Sequence, residues 1–158
     1  MSLLPPSAQK VQNAATALGL DIVVIEMAQP TRTAEEAAAA CGVTVGQIVK
    51  SLVFLGAKSG KPYLLLVSGA NRVDEKEVAA HLGEKLIRPN ADAVRTLTGY
   101  AIGGIPPLGH DAPLATYMDR DLLQYDTIWA AAGTPKAVFR TEPALLRDAA
   151  EAIVIDLT

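Results

Sequence analysis

The sequence predicts an α+β fold in which one mixed, largely antiparallel sheet is flanked by helices. Three observations lead there. Helical apolar spacing alternates with short β-branched runs, two of those runs are joined directly by the turn-forming Lys58-Ser59-Gly60-Lys61, and hydroxyl capping signals mark helix starts. A doubly wound parallel sheet needs a crossover between its strands, and hairpins among the helices break that order. At 158 residues the chain suits a single domain, 1–158. A chain of this size buries about two-thirds of its unfolded surface around one core.

The elements follow in order. Ser7 to Leu18 carries Ala8, Val11, Ala14, Ala15 and Leu18 at helical spacing, and Gly19 stops the run. Asp21 to Glu26 reads as a short strand. Thr33 and Glu36 form a capping box that opens an alanine-rich helix closed by Gly42, and Thr44 with Gln47 starts a second, short helix. Lys50 to Gly56 and Pro62 to Gly69 are the hairpin strands, expected at the centre of the sheet. Asp74 to Leu82 is a helix with acids in its first turn and Gly83 past its end. A strand near Lys85 to Arg88 and a helix from Ala91 to Leu97 come next. Strands at Ala115 to Met118, Thr127 to Ala132 and Ala137 to Arg140 follow, then a helix from Pro143, and a last strand near Ile153 to Asp156.

Charge and composition exclude several classes. A net charge of −3 and a pI near 5.3 give no overall positive field for gripping long nucleic acid, so DNA is not an expected partner and any nucleic-acid contact is local. The longest apolar runs, such as Tyr63 to Val67, are too short to cross a bilayer, and no signal segment opens the chain; the expectation is a soluble, cytoplasmic protein. Cys41, the one cysteine, has no partner for a disulfide and suits a reducing compartment as core filler. His81 and His110 lie far apart without nearby carboxylates of ligand spacing, so no metal is expected. No phosphate-binding Gly-x-x-x-x-Gly-Lys-Ser/Thr is present, Gly99 with Gly103 and Gly104 has the wrong spacing for a dinucleotide fingerprint, and Ser51 and Ser68 lack a nucleophile elbow.

Two features remain. The twelve residues from Gly99 to His110 hold four glycines and two prolines, a composition that forms a stiffly shaped loop with an open backbone. Such a loop is either a structural turn or a binding loop that offers bare N–H groups. Lys50 stands where a short helix passes into Ser51-Leu52-Val53-Phe54-Leu55, which places an ammonium group at the mouth of a buried strand. It is either a lysine snorkelling to water or a charge held to meet an anionic or carbonyl oxygen. Position alone does not choose.

The strings Thr33-Ala-Glu-Glu-Ala-Ala, Gly46-Gln47-Ile48-Val49-Lys50-Ser51-Leu52-Val53-Phe54 and Thr98-Gly99-Tyr100-Ala101-Ile102-Gly103-Gly104-Ile105-Pro106-Pro107-Leu108-Gly109, with Asp119 and Ile128 to Gly133 behind them, closely resemble the YbaK/prolyl-tRNA-synthetase-associated domain family. Order and spacing match together over nearly the whole chain. The resemblance implies a trans-editing aminoacyl-tRNA deacylase that acts on mischarged tRNA, with mischarged tRNA(Pro) the first expectation, and with neither metal nor organic cofactor. It implies the acceptor end of aminoacyl-tRNA as partner, together with a synthetase or elongation factor Tu. Lys50 matches the lysine required for activity, and Gly103 to Pro107 matches the Gly-x-x-x-Pro loop at the substrate carbonyl. The expected catalytic set is therefore Lys50, Gly103 and Gly104, with Thr98, Gly99, Ile105, Pro106, Pro107, Gly109 and His110 as substrate-binding residues. Pro106 stands where relatives often carry serine, and it has no N–H to give. The alternative reading is a non-catalytic module that binds tRNA or a synthetase, and a third is a hydrolase of free amino-acid esters.

The chemistry makes these parts intelligible. An aminoacyl ester is already activated, so a site has chiefly to position the acyl group, stabilise the oxyanion and admit a nucleophile. Backbone amides of Gly103, Gly104 and Ile105 are the expected oxyanion donors, and Lys50, with an ordinary pKa of about 10.4, is expected to act by charge rather than as a base. A pocket separates amino acids differing by one methylene by only about 1 to 3 kcal/mol, which is why a second, correcting site is useful. Its walls are expected to be the Gly/Pro loop and sheet side chains between Lys50 and Phe54.

Overall fold

The Lys58–Lys61 turn folds as its residues require, and the hairpin it closes lies in the middle of an eight-stranded sheet. The computed structural model describes residues 3–158. Strand β1 is Ile25–Glu26, β2 Ile48–Gly56, β3 Pro62–Ser68, β4 Leu86–Ile87, β5 Ala115–Asp119, β6 Ile128–Ala131, β7 Ala137–Thr141 and β8 Ile153–Ile155. The helices are α1 Pro6–Ala17, α2 Ala34–Cys41, α3 Glu75–Leu82, α4 Ala91–Thr98 and α5 Pro143–Ala149. The sheet order is β1-β7-β6-β2-β3-β5-β8, and β4 also pairs β2. The hairpins β2·β3 and β6·β7 are antiparallel, as are β1·β7 and β2·β4, while β2·β6, β3·β5 and β5·β8 are parallel. The sheet is therefore mixed, with parallel ladders on both sides of the central hairpin.

Period-two alternation divides the core. Val49, Val53, Leu64 and Leu66 face a large cluster that takes Val11 of α1, Val94 of α4 and Leu146 of α5, whereas Phe54, Leu65 and Val67 face Val78 of α3. A third, smaller cluster joins Ala37 and Ala38 of α2 to Ile48. Helices thus cover both faces, and α2 sits over the start of β2.

The capping signals hold. Thr33 and Glu36 close a reciprocal box at the start of α2, Asp74 caps α3, and Gly42, Gly83 and Gly99 end α2, α3 and α4 in the left-handed conformation. Thr44 and Gln47 make the second box, which opens a three-residue 3-10 turn, Val45–Gln47. The turn of the central hairpin is fastened from outside: Glu84 accepts from Lys58 N, Ser59 N, the Ser59 hydroxyl and the Tyr63 hydroxyl. Those donors, Ser59 foremost, pull the Glu84 carboxyl down to about 2.

Two expectations need correcting. Of the strand expected at Asp21 to Glu26 only Ile25 and Glu26 pair with a neighbour, because the Gln12 side chain donates to the Ile22 carbonyl at 2.9 Å and accepts from Val24 N at 2.9 Å. A side chain supplies there what a ladder would have supplied. Cys41 is half-buried at the end of α2 rather than in the core, and its partial burial raises the thiol pKa. The 3-10 turn Arg120–Gln124, capped by Asp119, had no sequence signal in the reading above.

Candidate active site

Lys50 reaches its place because β2 begins under α2. Its ammonium donates to the main-chain carbonyl of Asn71. Asn71 is itself held: its amide nitrogen donates to Asp119 Oδ2 at 2.9 Å and to Asp121 Oδ2 at 2.7 Å. Asp119 is buried and accepts in addition from Ser68 N at 3.1 Å and Asp121 N at 3.0 Å. A buried carboxylate with this many donors is a fixed post, and through Asn71 it sets the position of the Lys50 head. Burial lowers the Lys50 pKa; Glu35 and Asp119 oppose that shift, and Arg72 adds to it.

A cleft of about 560 Å³ opens in front of this ammonium. Lys50, Gly103 and Ile105 line it together, so a cation from β2 and the loop some fifty residues later meet one cavity. Ile102 stands exposed at its mouth. The amides of Gly103 and Ile105 make no hydrogen bond within the described residues and are free to donate. A Cβ on Gly103, whose φ is +97°, would lie 3.3 Å from Arg32 Cγ, so the loop closes directly on the segment before α2.

The other loop residues build rather than line the cleft. Gly104 N donates to the Ala101 carbonyl at 3.1 Å, and the Gly104 carbonyl accepts from Gly133 N at 2.8 Å. Its amide is therefore engaged, and a Cβ there would lie 2.8 Å from Thr134 N. In this conformation Gly104 packs against the β6–β7 turn, and its amide, expected from the sequence as an oxyanion donor, is engaged within the loop. Thr98 is buried, with its hydroxyl bonded to the Val94 carbonyl at 2.8 Å and accepting from Tyr100 N at 3.0 Å. Gly99 caps α4 at φ +84°, Gly109 turns at φ +78° against Ala14 of α1, and Pro106 and Pro107 are buried. None of Thr98, Gly99, Gly104, Pro106, Pro107, Gly109 and His110 lines the cleft. They give the loop its shape behind the residues that line the cleft.

His110 fastens the loop from its back. Its Nε2 lies 2.7 Å from the Pro106 carbonyl, which accepts from it in the neutral Nε2–H tautomer. Burial lowers the His110 pKa, and Lys10 lowers it further, against opposing contributions from the Pro106 carbonyl and Asp111. The folded protein thus resists protonation at a position where the unfolded chain takes a proton near the ordinary value of about 6.5. The stability this confers is complete above that value and is lost as pH falls from it toward the folded-state pKa. Urea titrations at pH 8 and pH 5 are expected to show a smaller loss of stability for His110→Gln than for the parent; equal losses would remove His110 from the account.

Sequence reasoning missed most of the opposite wall. Ala34 and Ala37 of α2 with Ile48 form an apolar side, where sheet residues between Lys50 and Phe54 were expected; of those only Lys50, Ser51 and Leu52 contribute. Arg32 and Arg72 bring two further cations, neither in an ion pair among the described residues, and Glu35 is the only carboxylate lining the cleft. The Arg32 signal was its place just before the Thr33 cap; scattered basic residues do not announce a shared cavity.

Comparison with known proteins places this geometry. The family model described as the aminoacyl-tRNA editing domain matches residues 28–149, well over half of the chain. A solved structure titled "Crystal structure of a putative trans-editing enzyme for prolyl tRNA synthetase" superposes with a TM-score of 0.93 at 50% identity, covering 99% of this chain and 99% of that one. An Enterococcus faecalis protein named "Putative Cys-tRNA(Pro)/Cys-tRNA(Cys) deacylase EbsC" is 32% identical over 102 residues, 64% of this chain and 62% of its own. The proline–tRNA ligase of Limosilactobacillus fermentum is 31% identical over 110 residues, which are 66% of this chain but only 19% of the ligase. The matched span includes α2, the Lys50 strand, the Gly/Pro loop and Asp119, the parts that build the cleft, and the chain belongs to the aminoacyl-tRNA editing domain family.

Proposed function

We propose that this protein is a trans-editing enzyme that hydrolyses the ester linking a wrong amino acid to transfer RNA, with mischarged tRNA(Pro) as its substrate. The observation that carries the reading is that Lys50, Gly103 and Ile105 line one cleft, the last two with amides that no hydrogen bond among the described residues uses. The ester carbonyl sits toward the amides, and water attacks its carbon, either directly or after the neighbouring ribose hydroxyl has taken over the acyl group. As the carbon becomes tetrahedral, negative charge grows on the carbonyl oxygen, where N–H donors and a nearby cation stabilise it more than they stabilise the ester. The carbon–oxygen bond to the ribose then breaks and the ribose oxygen takes up a proton. Ala34, Ala37 and Ile48 bound the acyl side chain, which favours a small apolar group.

The partner is the acceptor end of the tRNA, offered free or from a synthetase or elongation factor Tu. Arg32, Arg72 and Lys50 are the cations available to its terminal phosphates. The net charge of −3 supports contact limited to that end. A panel of tRNAs carrying alanine, cysteine, serine or threonine on proline and alanine acceptors tests the reading by release of amino acid. Turnover on at least one member, with proline acceptors preferred, is expected; saturable binding with no turnover on any would make the protein a binding module. Three phosphate contacts to a single strand give a log–log salt slope near −2, and a much steeper slope would demand a larger interface than the cleft provides.

A further inference from the structure

On the edge of β2 away from β3, residues Lys50–Phe54 have no strand beside them: β6 pairs only at Ile48 and Val49, and β4 only at Leu55 and Gly56. The register with β3 fixes which peptide groups face this gap. Gly69 N donates to the Ile48 carbonyl and Gly56 N donates to the Lys61 carbonyl, and the pairing between them is unbroken. Even-numbered residues of β2 therefore bond β3, and residues 49, 51, 53 and 55 turn N–H and C=O the other way. Val49 meets β6 and Leu55 meets β4; Ser51 and Val53 meet no strand. Of these two, Ser51 lines the cleft, whereas Val53 is buried in the cluster that holds Ile105.

On this edge Ser51 has no ladder partner, and no turn, loop or side-chain hydrogen bond within the described residues uses its N–H or C=O. Its hydroxyl is buried and likewise without a partner, yet the residue as a whole is part-exposed, so the accessible surface belongs to other atoms of Ser51. The gap is built, not frayed. Gly133 turns the chain out of β6 at φ +95°, its N–H is held by the Gly104 carbonyl at 2.8 Å, and a Cβ there would lie 2.5 Å from the Ser7 carbonyl oxygen. The strand that would have satisfied Ser51 is led away by the same loop that supplies Gly103 and Ile105.

We propose that the Ser51 main chain receives the aminoacyl group itself, its C=O accepting from the α-ammonium and its N–H donating to the ester carbonyl. This rests on the aminoacyl-ester reading and deepens it. An amino-acid ester carries a donor and a carbonyl flanking one α-carbon, the same pair that a residue of a neighbouring antiparallel strand presents. A peptide group of β2 next to Lys50 thus recognises any α-aminoacyl ester by its backbone, adds an N–H to the developing oxyanion, and leaves side-chain selection to Ala34, Ala37 and Ile48.

Two arms test it. In the first, the acyl group released fastest from tRNA is compared with its α-hydroxy and desamino counterparts, each rate divided by its spontaneous rate. Removing the donor is expected to slow the desamino ester at least about tenfold, while the α-hydroxy ester, which keeps a donor, loses less. Equal normalised rates overturn the proposal. So does loss of the amino-group dependence in Glu35→Gln, which would seat the ammonium on Glu35; retention of it supports Ser51. In the second arm, the amide-linked 3′-deoxy-3′-(L-alanylamino)adenosine is titrated into ¹⁵N-labelled protein. The Ser51 amide proton is expected to move downfield on binding, and a bound ligand that leaves it unmoved overturns the assignment. If Ser51 shifts while no ester is hydrolysed, the hydrolase reading fails and the assignment stands; absence of both binding and turnover removes both.

Discussion

Lys50→Ala is expected to lower the rate of deacylation about 10²–10³-fold, the range found when one transition-state donor is removed from an oxyanion site. The lysine is half-buried at the cleft and donates to the Asn71 carbonyl, so its loss removes a positive charge from the cleft proposed to hold the acyl group. Stability should change little. One lost hydrogen bond to a part-exposed carbonyl is worth about 1 kcal/mol, which lowers the melting temperature of a domain this size by about 2–4 °C. Single-turnover kinetics with a mischarged tRNA check the first value and a thermal melt the second. A parent-like rate in a folded variant would show that the ammonium does not serve the reaction. The parent should also carry an alkaline limit. Because burial lowers the Lys50 pKa, the ammonium is lost at a lower pH than from an exposed lysine, and activity corrected for spontaneous hydrolysis should fall correspondingly early.

Asp119→Ala is expected to have the largest effect on stability and to reach the chemistry through Asn71. The substitution removes the acceptor of Ser68 N, of Asp121 N and of one Asn71 amide bond. An orphaned buried donor, here Ser68 N, costs about 1–3 kcal/mol and each of the two part-exposed bonds about 1 kcal/mol, so a loss of about 2–5 kcal/mol is expected in urea titrations. Asp119→Asn, which keeps a side-chain oxygen, should recover part of it. Asp119 does not itself line the cleft; it holds Asn71, which does, and is a positioning residue. Its negative charge raises the Lys50 pKa, so in Asp119→Asn the alkaline limit of activity should move to lower pH. A merely structural role would lower stability and leave that limit where it was.

Local signals carried the elements, and long-range ones carried the site. The capping boxes at Thr33 and Thr44, the left-handed glycines after α2 and α3, and the Lys58–Lys61 turn each act within a few residues, and each was legible in the sequence; Gly99, read as part of the Gly/Pro loop, also ends α4. The Gln12 clamp on Ile22 and Val24 acts across ten residues, and it replaced most of an expected strand. Lys50, Gly103 and Ile105 could be named from the motif strings, but a string does not say which residues of a loop face the ligand. Gly104, Thr98 and the two prolines belong to the same string and were read with them, but their hydrogen bonds and burial place them in the body of the loop and not on the cleft wall. Arg32, Arg72 and the alanine wall of α2 come together because β2 starts beneath α2, where Ala37 and Ala38 pack on Ile48.

The proposed reaction needs a β2 cation and the unbonded amides of the Gly/Pro loop to act on one acyl group. A crystal structure with a non-hydrolysable aminoacyl adenosine would show whether they do. The acyl carbonyl oxygen is expected about 3 Å from Gly103 N or Ile105 N, the distance of an oxyanion donor, with the Lys50 ammonium in the same cavity. An acyl group bound away from that loop, or in the separate groove between Ala57 and Lys85, would contradict it.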